Sequence, residues 1–311
     1  MNWPRNDQSL LWGRPPGLQR VSRPALVAVV AFLPLLGCSH SKSVTVGSKN
    51  FTEQIVLGEI VAQQLERRLH VQVDRKLDLG GTLLAHQALL SGDIDLYPEY
   101  TGTALTAVLK LAPSSDPAAV LDRVRAEYRR RWRLEWLDPL GFDNTFAMVV
   151  RGPDARAQGI DTITGAAHRE QGWRLGVGYE FLQRPDGLAG LLQTYRLPLE
   201  GSPQSMDLGL LYSALEQKEV DMAAASATDG MLSVLDVKVL RDDRHYFPPY
   251  QAAIVVRAET LAAQPGLRAA LDRLSGKLTA EAMRDLNYQL DGKHRPPREV
   301  ARQWLSTIDL K

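Results

Sequence analysis

From residue 44 onward, short apolar runs alternate with stretches whose apolar residues recur at helical spacing, and this alternation restricts the chain to an α/β architecture with largely parallel sheets. "VTVG" (44–47) reads as a strand. "FTEQIVLGEIVAQQLERRL" then carries Ile55, Val56, Ile60, Val61, Leu65 and Leu69 near helical period. Asn50 with Glu53 three places on has the form of a capping box, so the spacing predicts a helix starting there. A strand near 71–77, a helix over 82–90 and the strand "DIDLY" (93–97) follow. A second unit repeats the pattern, with strands at 146–150, 173–178 and 220–225 and helices over 184–195 and 205–217.

The two units share a spacing. "ALLSGDIDLYPEY" from Ala88 and "ALEQKEVDMAAAS" from Ala214 place an aspartate, Asp95 or Asp221, at the same point after Ala-Leu. When the two segments are laid on one another, Tyr100 falls opposite Ser226. Two lobes presenting equivalent strand ends to one cleft would produce this spacing, and ligands of open α/β sheets bind at those carboxyl ends.

The amino terminus has a different character. Of the formal net charge of +1, residues 1–37 contribute +3 through Arg5, Arg14, Arg20 and Arg23 against Asp7, which leaves the remainder at −2. A body with that charge has no electrostatic footprint for nucleic acid. The arginines precede "ALVAVVAFLPLLGC", an apolar run of the length of a signal-peptide h-region and too short to span a bilayer. Its end, Leu35-Leu36-Gly37-Cys38, resembles the lipobox of bacterial lipoproteins, in which the cysteine is lipidated. Residues 1–37 are therefore expected to be a lipoprotein signal peptide, Cys38 the lipidation site, and 38–43 a polar tether. With Cys38 the only cysteine, the body can hold no disulfide, thiol nucleophile or cysteine metal site.

The chemistry-bearing residues favour binding over catalysis. The six histidines show no ligand spacing, and the chain has no Walker A loop, no G-x-S-x-G and no H-E-x-x-H. Ser39-His40-Ser41-Lys42 matches S-x-x-K only inside the tether. Glu99 is the one candidate general acid, and a carboxylate beside Pro98 at a strand end reads as a structural group. No catalytic residue, cofactor or metal is expected. Lys49, in the loop "GSKN" before a helix start, makes an anion subsite. Tyr97, Tyr100, Phe146, Tyr246, Phe247 and Tyr250 fall at strand ends or between the units, and ring faces around a cleft attract methylated cations. Together these suit a zwitterion.

The blocks "GSKNFTEQIVLGEI" (47–60), "LGGTLLAHQALLSGDIDLYPEYTGTAL" (79–105), "DNTFAMVV" (143–150), "FLQRPDGLAGLLQTY" (181–195), "ATDGML" (227–232) and "DDRHYFPPYQAAIVVR" (242–257) resemble the osmoprotectant-binding family of ABC-transporter substrate-binding proteins, the glycine betaine, choline and carnitine receptors of the OpuAC type. The resemblance implies a two-lobed periplasmic-binding-protein fold of type II: lobe I over 44–143 plus 252–311 and lobe II over 144–251, with crossings near 143–146 and 249–251. It implies a cage around a quaternary ammonium at Tyr100, Phe146, Ser226 and Tyr250, and carboxylate or polar contacts from Lys49, Thr103, Arg184 and Asn144. Family members commonly read "AYSTDG" where this chain has "ASATDG", so one aromatic wall is Ser226, and Phe146 stands where tyrosine is usual.

The expectation is a monomeric, non-enzymatic lipoprotein facing the periplasm or cell exterior, held to membrane lipid through Cys38, which delivers a small zwitterion to ABC permease subunits and their ATPase. The serine wall opens an alternative, a same-fold receptor or sensor for a different small solute. A cell-envelope hydrolase acting through Glu99 is a further rival.

Overall fold

The computed structural model describes residues 43–308, so the signal peptide, Cys38 and nearly all of the tether lie outside the described residues. Ten strands form two five-stranded sheets: β1 (Val44–Gly47), β2 (Val73–Lys76), β3 (Leu96–Tyr100), β4 (Leu134–Trp136), β5 (Phe146–Arg151), β6 (Leu175–Val177), β7 (Gln204–Ser205), β8 (Met222–Ser226), β9 (Val237–Leu240) and β10 (Ala252–Arg257). The first sheet has the order β2-β1-β3-β10-β4 and the second β7-β6-β8-β5-β9. The two are built alike. In each, three strands run parallel, and the strand beside them, β10 or β5, is antiparallel to its neighbours on both sides.

The sheets are thus mixed rather than largely parallel. The reason lies in the crossings. The chain leaves the first sheet after β4 and enters β5 at Phe146, which pairs with Ser226, the last residue of β8; on its return it enters β10 at Ala252, which pairs with Tyr100, the last residue of β3. A strand that begins beside its neighbour's carboxyl end runs against it. The crossings touch each other through a bridge between Asp143 and Gln251 and bonds from Asn144 N to Tyr250 O (3.1 Å) and Tyr250 N to Asp143 Oδ2 (3.0 Å).

The repeated spacing maps onto β3 and β8, with Tyr100 and Ser226 at corresponding ends. The first of these strands starts later than "DIDLY" suggested. Asp95 is spent on the loop, where its carboxylate accepts from Thr45 N (2.8 Å) and the Thr260 hydroxyl (2.7 Å), and pairing begins at Leu96. Of the predicted helix over 184–195 only Leu188–Tyr195 is helical, and a separate short helix, Tyr179–Gln183, precedes it. Pro185 holds Arg184 in an extended conformation (φ −78°, ψ 145°), which ends the first helix. Of the stretch 205–217, Ser205 ends β7 and only Leu211–Glu216 is α-helical.

The helix Thr52–Leu69 lies under three carboxy-terminal helices, Leu267–Asp272, Ala280–Asp291 and Pro297–Ile308, which bury its polar face as well as its apolar one. Gln63 Nε2 and Gln64 Nε2 donate there to the carbonyls of Arg298 and Ala270, at 2.9 Å each. The expected capping box does not form. Phe51 occupies the cap position without a side-chain bond, Asn50 N donates to Gly80 O, and Glu53 turns inward.

Candidate functional site

Both sheets direct their parallel-strand ends toward the crossings, and the residues singled out from sequence gather there. Tyr100 ends β3 and Phe146 begins β5, with Tyr250 in the return crossing. Thr103 lies in the helical turn Thr101–Thr103 directly after β3. That turn approaches the crossing closely because Gly102 has no side chain: a methyl there would fall 2.6 Å from Pro249 O and 2.8 Å from the Tyr250 ring. The Thr101 hydroxyl adds a bond to Pro249 O (3.1 Å).

Each ring face carries one of the protein's own cations. Lys49 Nζ stands 4.8 Å from the centroid of Tyr100, and the Arg184 guanidinium 5.3 Å from Phe146 and 5.4 Å from Tyr250. Phe146 and Tyr250 meet edge to face at 5.6 Å, and Phe181 and Phe247 extend the cluster beyond Phe146. Ser226, half-buried, is the cross-strand neighbour of Phe146 and adds no ring. The Tyr97 ring lies outside this cluster, fully buried in a separate core cluster with Tyr128 and Trp136.

Both cations have buried carboxylate partners that the sequence did not announce. Lys49, 2% exposed, is 2.6 Å from Glu99 Oε1, and Glu99, with no exposed surface, also accepts from the Tyr97 hydroxyl and Tyr100 N. Glu99 is therefore half of an ion pair. Arg184 donates to both oxygens of Asp186 (3.0 and 2.7 Å) and to the Thr103 hydroxyl (2.8 Å). Burial is the largest influence and opposes the guanidinium charge, but the hydrogen bonds to Asp186 together with the negative charges of Asp186 and Glu180 leave the Arg184 pKa raised; at Asp186, Arg184 with the Tyr250 and Thr106 hydroxyls likewise overcomes burial and holds that carboxyl below its ordinary range. Thr106 and Tyr250 donate to Asp186 as well. Burial drives the Tyr250 phenol far above its usual pKa, so it stays a neutral donor.

Further bonds join the first sheet's side of the site to the second's. Glu180, at the start of the helix Tyr179–Gln183, accepts from Thr82 N (2.7 Å) and the Thr82 hydroxyl (3.2 Å), which places a carboxylate on the amino end of the helix Thr82–Ser91. Lys49 Nζ donates to the same hydroxyl (3.3 Å). Lys49, Thr82, Glu180 and Arg184 thus form one polar chain between the two groups of rings. Asn144 reaches the edge of this site beside the Tyr100 hydroxyl. Its amide donates to Glu53 Oε1 (2.8 Å), which also receives the Tyr100 hydroxyl (2.6 Å). A cavity of about 430 Å³ opens on the far side of Phe146, bounded by Asp143, Thr145, Ala227, His245 and the 247–249 turn, and touches none of Tyr100, Ser226 and Tyr250. Among the described residues, no group of three or more His, Cys, Asp or Glu is arranged to hold a metal ion.

The model of the substrate-binding domain of ABC-type glycine betaine transport systems matches residues 42–307. The chain belongs to that family. It is 33% identical over 291 residues to a glycine-betaine-binding protein of Pseudomonas aeruginosa, covering 90% of this chain and 93% of that one. It is 32% identical over 275 residues to the carnitine transport binding protein OpuCC of Listeria monocytogenes, covering 88% and 89%. A Helicobacter pylori protein described as ergothioneine transport permease/ergothioneine binding protein EgtU is 34% identical over 288 residues, 92% of this chain; the chain spans about half, 51%, of that protein. Among solved structures, a glycine betaine/carnitine/choline ABC transporter protein superposes with a TM-score of 0.74 at 30% identity, covering 85% of this chain and 98% of that one. The lactococcal OpuAC complexed with glycine betaine shares the fold, with a TM-score of 0.59 at 15% identity over 86% and 98% of the two chains. Family members are substrate-binding components of ABC importers, and this chain carries their two-sheet α/β architecture. No helix among the described residues is long and apolar enough to cross a membrane.

The sequence-predicted residues Lys49, Tyr100, Thr103, Phe146, Arg184 and Tyr250 come together, with Ser226 beside Phe146. Reasoning from sequence missed Glu53, Asp186, Glu180, Thr228 and Asn287. For Glu53 one signal existed, an acid in the first turn of a helix with an apolar stripe; for Asp186, its place two residues after Arg184 in "RPDG".

Proposed function

We propose that this protein is the extracytoplasmic receptor of an ABC importer, lipid-anchored through Cys38, which takes up a quaternary-ammonium zwitterion of the glycine betaine kind between two lobes and hands it unchanged to the permease. Lobe I comprises 44–143 plus 252–311 and lobe II 144–251. The methylated head lies against Tyr100, Phe146 and Tyr250 with Ser226 at the open side, and the carboxylate takes bonds from Lys49, Thr103 and Arg184. Asn144 acts from the crossing through Glu53.

The observation that carries this reading is that all three ring faces already hold cations at 4.8–5.4 Å. Such faces favour a weakly hydrated, delocalised charge, and a trimethylammonium is as cheap to desolvate as a guanidinium. A solute whose head replaces Arg184 over Phe146 and Tyr250 leaves that guanidinium free to meet the solute's own carboxylate.

Calorimetric titration with glycine betaine, choline, carnitine and 3,3-dimethylbutanoate, the uncharged-head isostere of glycine betaine, tests the proposal. The expected result is binding of at least one quaternary ammonium on the order of micromolar or tighter, with the isostere at least about tenfold weaker than glycine betaine. Equal binding of the isostere, or no binding of any of the four, would overturn it.

A further inference from the structure

Glu53 has no part in the solute contacts proposed above, yet it is 3% exposed and both its oxygens are fully engaged. Oε1 accepts the Tyr100 hydroxyl (2.6 Å) and the Asn144 amide (2.8 Å); Oε2 accepts the Thr228 hydroxyl and the Asn287 amide (3.0 Å). The four donors come from four places: the end of β3, the outgoing crossing, the turn after β8, and the helix Ala280–Asp291. All are neutral. Burial pushes the Glu53 carboxyl up, and the four hydrogen bonds work against that push.

The turn after β8 is docked closely on this group. Asn287 Nδ2 also donates to Thr228 O (2.8 Å), and Arg284 donates to Ala227 O (3.1 Å). At Gly230 the turn meets helix backbone, so that a methyl would fall 2.3 Å from Tyr288 N. The turn belongs with the second sheet, whereas Glu53, Tyr100 and Asn287 belong with the first and its covering helices. A carboxylate offers about four acceptor positions, and here the fourth is filled only when the second sheet's turn is in place.

We propose that Glu53 is a positioning residue that couples docking of the second sheet's Thr228 turn to the orientation of the Tyr100 ring, acting as a buried latch for the closed state. This rests on the reading that Tyr100 touches the solute. When the turn withdraws, Oε2 loses Thr228 and the seam around Glu53 opens to water, which competes for the carboxylate with the Tyr100 hydroxyl. Ring orientation and closure then become one equilibrium, and any solute that needs the ring favours the docked turn.

The test uses the full chain with Cys38→Ser and spin labels on cysteines replacing Asp74 and Glu219, exposed positions beside the first and second sheets. Label separations without solute and calorimetric affinities for glycine betaine are measured for Glu53→Gln, Thr228→Val, Tyr100→Phe and the Glu53→Gln/Tyr100→Phe double variant. Glu53→Gln and Thr228→Val should each lengthen the separation and weaken glycine betaine about tenfold, within the usual range of coupling between sites. The double variant should bind no more weakly than Glu53→Gln alone, because both changes cut the same link. Rescue by Glu53→Asp of the separation but not of the affinity would further mark the Tyr100 bond as the one that matters. Unchanged separations in both single variants, or losses that multiply in the double variant, would overturn the proposal. If wild-type protein binds no glycine betaine, the affinities are read with choline or carnitine instead; if it binds none of these, the functional reading falls, and the label separations alone decide the latch. Thr228→Val serves if Glu53→Gln does not fold.

Discussion

His86 lies 6% exposed on the helix Thr82–Ser91, edge-on to Trp132 at 4.6 Å and Tyr128 at 5.4 Å, and neither ring nitrogen has a hydrogen-bond partner. Burial pushes its pKa down from 6.5 to about 4. The folded protein therefore keeps this ring neutral over a pH range in which the unfolded chain protonates it, and stability rises with pH across that range. The contribution is fully present above about pH 6.5, falls between pH 6.5 and 4, and levels off below. From those two pKa values, linkage gives a loss of about 2.5 kcal/mol at pH 4.5 relative to pH 7.5. Replacing the ring by leucine removes the titration and keeps an apolar filler. Urea unfolding of wild type and His86→Leu at pH 7.5 and 4.5 should show the stability difference between the two shifting by about 2–3 kcal/mol in favour of leucine at the lower pH. In thermal melts the same shift is about 5–10 °C. The carboxylates that lose favourable pairings in acid, Asp186 among them, do so in both proteins and cancel. A difference constant to within about 0.5 kcal/mol would mean that the ring is not excluded from water, and the reasoning would fail.

Other perturbations read the site more directly. Ser226→Tyr puts a ring beside Phe146, and it should tighten glycine betaine binding by about 3- to 30-fold in calorimetry; an unchanged or weakened affinity would remove Ser226 from the cage. Lys49→Met strands the Glu99 carboxylate in the interior and should cost about 3–5 kcal/mol in chemical unfolding, with much of that recovered in Lys49→Met/Glu99→Gln; no recovery in the double variant would contradict the pairing. Gly230→Ala must push the turn after β8 away from Tyr288 and should cost about 1–3 kcal/mol, also seen in denaturant unfolding, while a cost near zero would show that the turn yields freely.

Sequence alone determined a good deal about this protein. The alternation of strands and helices gave an α/β chain, and the shared Ala-Leu and aspartate spacing located β3 and β8 as equivalent strands ending at Tyr100 and Ser226. These signals are legible because they are local: periodicity and turn chemistry act over a few residues, and the chain must satisfy them wherever it lies. The serine at position 226 was equally plain, since a missing ring is missing in any conformation.

What only the tertiary structure decided are the partners of the charges and the direction of the added strands. Lys49 and Glu99 are 50 residues apart, and nothing in either neighbourhood says that they meet at 2.6 Å. Glu53 reads as a helix cap in sequence because capping is the commonest use of an acid at that spacing, yet three carboxy-terminal helices bury its helix, and better partners come from Thr228 in the turn after β8 and from Asn287 in the helix Ala280–Asp291. β5 and β10 run against their neighbours because the chain re-enters each sheet at the crossing, a consequence of where the two sheets meet. Which buried ion finds which counter-ion depends on desolvation, and desolvation is a property of the assembled interior that the linear order of residues does not contain.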